Sequence, residues 1–212
     1  MGRHPLRPLA VVSVLSILLT VVACGFHRAP ATVPSREPLL PSPSAVPTPL
    51  ASGPTYDPTG LDLCAKTDLR QLAGLSLTRV GGTPKPAVGY ESSVGCLFAL
   101  RTREGDGADL LVQATALKSP EQARQFYRAR LRRPIYKPDG NIGGIGDEAD
   151  ALSLQEHEPG FKRSEYIVET RSGNLVVEVF LGMSGSQFKD KATLAAKTTA
   201  ILKSTLAMVP MS

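Results

Sequence analysis

The chain has 212 residues, with 24 basic and 19 acidic side chains and a formal charge of +5. That length holds one domain or two small ones. The mild positive balance falls far short of the basic stripe that nucleic-acid binding requires, so no nucleic-acid partner is expected.

Residues 1–8 carry Arg3 and Arg7 and no acid, and Leu9–Val22 is apolar except for Ser13, Ser16 and Thr20. A basic head, a short apolar body and small residues at a cut site form the layout of a secretory signal. The body is too short to cross a bilayer core, which takes about 20 residues. Its end, Val21-Val22-Ala23-Cys24, resembles the lipobox of bacterial lipoproteins. The resemblance implies that residues 1–23 are removed and that Cys24 is thioether-linked to diacylglycerol. Such a lipid anchor, holding with two or three palmitate-type acyl chains, would fix the protein to the extracytoplasmic face of the cell membrane. Ordinary cleavage with Cys24 as a spare thiol is the alternative. Gly25 supplies no acidic signal for retention at an inner membrane. Losing Arg3 and Arg7 leaves 22 basic residues against 19 acidic ones, a formal +3.

With Cys24 spent on lipid, Cys64 and Cys96 remain as a pair. An export signal implies an oxidising compartment, where two thiols most simply form a disulfide. A metal site or a redox couple is the alternative, but there is neither a CxxC nor a nearby His to support one.

From Gly25 to about Thr59 the chain holds nine prolines among Ser, Thr and Ala, with almost no aliphatic periodicity. Such a segment buries too little apolar surface to order itself and favours polyproline II. It reads as a disordered tether, reaching on the order of 100 Å when extended at about 3.1 Å per residue. The division is then a signal peptide over 1–23, a lipidated Cys and Pro-rich linker over 24–60, and a folded domain over 61–212.

In the domain, Thr67 or Asp68 caps a short helix over Leu69–Leu75, and Leu75–Val80 reads as a strand before a Gly/Pro loop through Pro86. Gly95–Arg101 and Ala108–Ala116 flank a Gly-rich turn and read as a hairpin. Ser119-Pro120-Glu121-Gln122 is a strong helix start, and the helix runs to Arg132. A loop with Pro134, Pro138 and four glycines follows. Leu152–Gln155, Ser164–Thr170 and Leu175–Leu181 read as strands, the last two joined at Ser172-Gly173-Asn174. Ser186–Met208 closes the chain as a helix with an apolar stripe of Phe188, Ala192, Ala195, Thr199, Leu202 and Leu206. Hairpins with helices between strand groups predict an α+β fold: one antiparallel sheet with its helices mainly on one face.

Several short motifs together resemble a family of actinobacterial envelope lipoproteins of unknown function. They are Asp62-Leu63-Cys64 leading into a short helix, Gly95-Cys96-Leu97-Phe98 on a strand, Gly144-Ile145-Gly146-Asp147-Glu148-Ala149 before the later strands, and the closing helix. Many members carry Trp shortly after the second cysteine, where this chain has Phe98. The resemblance implies an exported, disulfide-bonded domain and carries over no catalytic residue.

Catalytic chemistry is sparse. The domain's one histidine, His157, lies in the polar stretch Gln155–Pro159, so any Ser-His-Asp or Cys-His arrangement must use it. A solvated turn is the plainer reading. No metal is expected, since His157 has only Glu156 and Glu158 beside it. The glycines of 140–146 lack the Gly-Lys-Ser/Thr of a phosphate loop. Asp106, Asp109, Asp147, Glu148 and Asp150 lack calcium-loop spacing. The basic set Arg124, Arg128, Arg130, Arg132, Arg133 and Lys137 suits anionic headgroups or cell-wall phosphate. Cations near a helix C-terminus are the structural alternative. The expectation is a non-catalytic lipoprotein that binds an envelope lipid, glycan or protein partner without a cofactor. A secreted hydrolase or transferase using His157 and acids, or an accessory subunit of a membrane complex, is the alternative.

Overall fold

Seven strands build one antiparallel sheet. They are β1 (Thr78–Pro84), β2 (Ser92–Arg101), β3 (Gly107–Ala116), β4 (Lys137–Asn141), β5 (Glu148–Glu158), β6 (Phe161–Ser172) and β7 (Leu175–Gly185), in spatial order β1-β2-β3-β7-β6-β5-β4. The helices are α1 (Leu63–Lys66), α2 (Pro120–Arg130) and α3 (Lys191–Met208), with one 3-10 turn at Leu69–Leu72. The structure is a computed structural model describing residues 53–85 and 92–212. The signal segment, Cys24, the linker up to residue 52 and the loop after Lys85 lie outside the described residues.

Two meanders meet at the centre of the sheet. β1, β2 and β3 run as neighbours. α2 then carries the chain over to the far edge, and β4 to β7 return strand by strand until β7 pairs with β3. Side chains alternate between faces along each strand. One face is apolar: Phe98, Leu110, Val112, Val168, Val177 and Val179 lie buried against Leu194, Ile201 and Leu202 of α3. Leu63 and Leu72, from α1 and the 3-10 turn, join the same core. On the opposite, outer face, Ala123 and Tyr127 of α2 pack on Val176. The α+β class and the placement of helices mainly on one face are thus as expected from the sequence, with α2 the exception.

Local chemistry explains where the elements begin. The Asp62 carboxylate accepts the Ala65 N–H at 3.0 Å and caps α1, and Asp68 accepts from Arg70 N–H at 3.0 Å to start the 3-10 turn. The helix expected over Leu69–Leu75 is only the 3-10 turn Leu69–Leu72, and α1 lies ahead of it, unexpected from the sequence and separated from it where Thr67 is extended. Ser119 accepts from Gln122 N–H at 3.2 Å and caps α2 as expected. β4 was expected to be loop, because Pro138 and Gly140 interrupt it. It is an edge strand, where a missing N–H and a bulge are tolerated, and its register shifts between Pro138 and Gly140.

α3 starts at Lys191, behind Asp190, whose carboxylate accepts from Thr193 N–H at 2.8 Å. This start moves the buried stripe to Leu194, Thr198, Ile201, Leu202 and Thr205. Phe188 lies before the helix with Lys162 Nζ 5.4 Å from its ring centroid. Aliphatic and small residues surround this helix on most sides, so periodicity alone set its phase wrongly. Among the described residues no helix is long and apolar enough to cross a membrane.

Residues 53–60, read from composition as the end of the linker, lie against the domain. Tyr56 forms a β-bridge with Met211, Asp57 N–H donates to Pro210 at 3.0 Å, and Ser212 N–H donates to Thr55 at 2.9 Å. Pro58 is buried. Cys64 in α1 and Cys96 in β2 form a disulfide, with Cα atoms 5.1 Å apart. The bridge ties the small helical cap to the second strand. Replacing both cysteines with serine should lower the unfolding free energy by about 3–4 kcal/mol, as expected for a closed loop of about 33 residues. Urea denaturation measures it. A loss below about 1 kcal/mol would show that packing alone holds α1.

Candidate ligand-binding site

At one end of the sheet residues 56–59, the start of β2, the β6–β7 turn and the start of α2 enclose a solvent-open cavity of about 640 Å³. That lies within the range of about 300–1,000 Å³ typical of small-molecule sites. Further clefts among the described residues measure about 280 to 320 Å³.

The floor is the β6–β7 turn. Asn174 Oδ1 accepts the Tyr56 N–H at 2.7 Å, and its amide donates to the Tyr56 and Leu117 carbonyls, each at 3.1 Å. Every polar atom of that amide is thereby spent on holding the walls. The Tyr56 hydroxyl pairs with Ser172 Oγ at 3.1 Å. Gly173 sits at φ +53° beneath Pro54, and a Cβ there would run into the Pro54 carbonyl oxygen.

One wall carries a small polar net. Asp57 Oδ1 accepts from Thr59 N–H at 2.9 Å and from Ser92 Oγ at 2.8 Å, and the Thr59 and Ser92 hydroxyls are 2.9 Å apart. The Thr59 hydroxyl and N–H, with the Ser92 hydroxyl, hold the Asp57 carboxyl below its ordinary range, so it is ionised at neutral pH. The facing wall is the loop into α2 and its first turns. There Lys118 N–H donates to Gln122 Oε1 at 3.2 Å, and Gln125 Nε2 donates to Glu121 at 3.2 Å. Phe126, Ala116 and Leu117 complete the lining.

No protein-family model matches the chain, and no curated protein matches it. Among solved structures, the extracellular domain of PknH from Mycobacterium tuberculosis aligns with a TM-score of 0.34 at 8% identity, covering 63% of this chain and 87% of that one. A score of that size does not establish a shared fold.

The basic set singled out in the sequence divides in two. Arg133 turns inward with Arg130, and their guanidinium groups meet two carboxylates that face each other across β6 and β7, Glu169 and Glu178. Arg130 Nε and Arg133 Nη2 donate to Glu169 Oε1 at 3.0 and 2.7 Å, and both arginines also reach Glu178. Arg124 lies 3.4 Å from both Glu121 and Glu148. Arg128, Arg132 and Lys137 are exposed, and no ion pair engages them among the described residues. None of the five residues Arg124, Arg128, Arg132, Arg133 and Lys137 lines the cavity.

The acidic candidates are mostly engaged as well. Asp147 and Glu148 both accept from the Arg171 guanidinium, at 2.8 and 2.9 Å, and Asp150 accepts from the Tyr127 hydroxyl. Burial and that carboxylate raise the Tyr127 phenol above its ordinary range. Among the described residues no three metal-binding side chains gather. The glycine run packs against β6, where the Thr170 hydroxyl donates to the Ile145 carbonyl at 3.1 Å. His157 lies on β5 opposite Lys162, exposed and away from the cavity, rather than in a turn.

Sequence reading missed Asp57, Thr59, Ser92, Gln122, Gln125 and Asn174. The one available signal was Tyr56-Asp57, an aromatic beside an acid at the end of a proline tract, which suits a chain about to pack.

Glu169 is fully buried, and its Oε2 makes no hydrogen bond. Burial pushes its carboxyl above the ordinary glutamate value, against the pull of Arg130 and Arg133. A raised folded-state pKa means that the folded protein holds a proton which the unfolded chain releases. This contribution is complete at low pH and fades as pH rises from 4.5 through the folded value. The stability of wild type relative to Glu169→Gln should therefore fall over that window, as read from urea titrations at several pH values. A difference that grows with pH would show that the guanidiniums win.

Gly173→Ala should cost more than about 1 kcal/mol, because it combines a left-handed backbone with a collision. It should also shift the amide resonances of residues 53–59. Unchanged resonances there would refute the close packing of Pro54 on the turn.

Proposed function

We propose that the protein is a membrane-anchored extracytoplasmic lipoprotein whose α+β domain binds a small ligand without catalysis in the cavity beside α2. The observation that carries this reading is the cavity itself. It is of ligand size, hydrogen bonds from Asn174 and between residues 55–57 and 210–212 fix its walls, and among its described lining the hydroxyl–carboxylate contact of Ser92 with Asp57 has no histidine beside it. Binding sites are commonly concave and pre-formed, with a few placed polar groups. His157 stands outside it, so the hydrolase alternative gains no support from the geometry. The anchor rests on the pattern Leu9–Cys24 and is supported by the Cys64–Cys96 disulfide, which suits an oxidising compartment.

Intact mass spectrometry of the protein taken from its native membrane tests both halves. The expected denatured mass fits cleavage before Cys24, added acyl groups and one disulfide. The expected native mass exceeds it by a bound small molecule. An unacylated mass would overturn the anchor. An acylated protein with no additional native mass, from cells in every growth condition tried, would overturn the ligand reading.

A further inference from the structure

The chemistry of the cavity narrows its occupant. An acyl chain wants a closed, mainly apolar pocket, whereas this one opens to solvent past Asp57, Thr59, Gln122 and Gln125. A phosphate or carboxylate would meet the ionised Asp57 on the wall opposite Lys118. A metal ion would find one carboxylate where several oxygen ligands are needed.

The cavity presents a set of separated, oppositely directed groups. Asp57 and Gln125 bring acceptor oxygens and Gln122 an amide donor to the solvent-exposed rim of the cavity. Each belongs to a planar amide or carboxylate, and for two of the three a second atom of that group is already pinned within the wall: Asp57 by Thr59 and Ser92, and Gln122 by the Lys118 N–H. Between them stand the aromatic side chains of Tyr56 and Phe126 and the aliphatic Leu117. A ligand matching this set offers hydroxyls that both donate and accept, little or no net charge, and an apolar C–H face for a ring. Pyranose sugars carry all three features.

We propose that the cavity binds a neutral saccharide of one or two pyranose units. This rests on the ligand-binding reading above and gives its chemical class. Asp57 and Gln125 accept from sugar hydroxyls, Gln122 donates to one, and Tyr56 or Phe126 covers a C–H face. Pre-fixed polar groups reduce the ordering cost of binding. Each hydrogen bond to a sugar hydroxyl replaces one to water, so these exposed groups set orientation and specificity more than affinity.

The test uses the acylated full-length protein in nanodiscs of uncharged lipid, followed by 15N NMR. The probes are neutral mono- and disaccharides of the gluco, galacto, manno and N-acetylglucosamine series. Inorganic phosphate and dihexanoylphosphatidylglycerol are the comparators. At least one sugar should produce saturable shifts at Tyr56, Gln122 and Gln125. Its affinity should fall about fivefold in Gln125→Ala, with thermal stability unchanged, and further in Asp57→Asn, whose fold is checked by its amide spectrum. If a comparator fills the cavity and no sugar does, the saccharide proposal fails while the ligand-binding site stands. If no probe of any class shifts a cavity residue, both fail.

Discussion

Glu169 and Glu178 face each other across the central strand pair, and this juxtaposition governs the outer face of the sheet. Two buried carboxylates at a cross-strand position repel each other and lose hydration. Only the guanidiniums of Arg130 and Arg133, both delivered by the end of α2 and the turn after it, offset that cost. The sheet therefore cannot close its outer face without α2. Once α2 is clamped at its C-terminal end, its N-terminal end lies over the β6–β7 turn, where Lys118 and Gln122 begin the cavity wall. The charge cluster and the cavity are two ends of one lever, with Ala123, Tyr127 and Val176 as the packed contact between them.

The inner face works differently. Its strands present a mainly apolar surface, interrupted by buried Ser164 and Thr170, and α3 covers it with Leu194, Ile201 and Leu202. Hydrophobic burial is non-directional, so it fixes the layer but leaves the precise seat of each neighbour free. Specificity there comes from covalent and polar pins: the Cys64–Cys96 bridge, the Asp190 cap, and the Lys189 N–H donating to Ser164 at 3.0 Å. The division is economical, with apolar area on one face and paired charge on the other.

Elements whose signals are local were legible in the sequence. Ser119-Pro120 marked the start of α2, the Gly-rich turn marked the β2–β3 hairpin, and Ser172-Gly173-Asn174 marked the β6–β7 turn. β4 was not legible, because its pairing is a property of the edge of β5 and not of Lys137–Asn141. The phase of α3 was lost because its composition is apolar on most sides. The cavity was the least legible feature, since its groups come from residues 56–59, 92, 116–126 and 174, which only the topology brings together. Charge was misleading in a specific way. Arg130 and Arg133 read as surface cations, yet they are counterions to glutamates some 36 to 48 positions later in the chain.

The segment 53–59 connects these points to the proline tract before it. It is held by one β-bridge and a handful of hydrogen bonds outside the main sheet ladder. Segments of that kind open at lower free energy than the central strands. It also forms a cavity wall and leads directly back into the proline tract. A ligand that binds only the closed form would stabilise the segment by RT ln(1 + L/Kd), L being the free ligand concentration. Such a ligand would hold Tyr56 and Asp57, which line the cavity, against the domain.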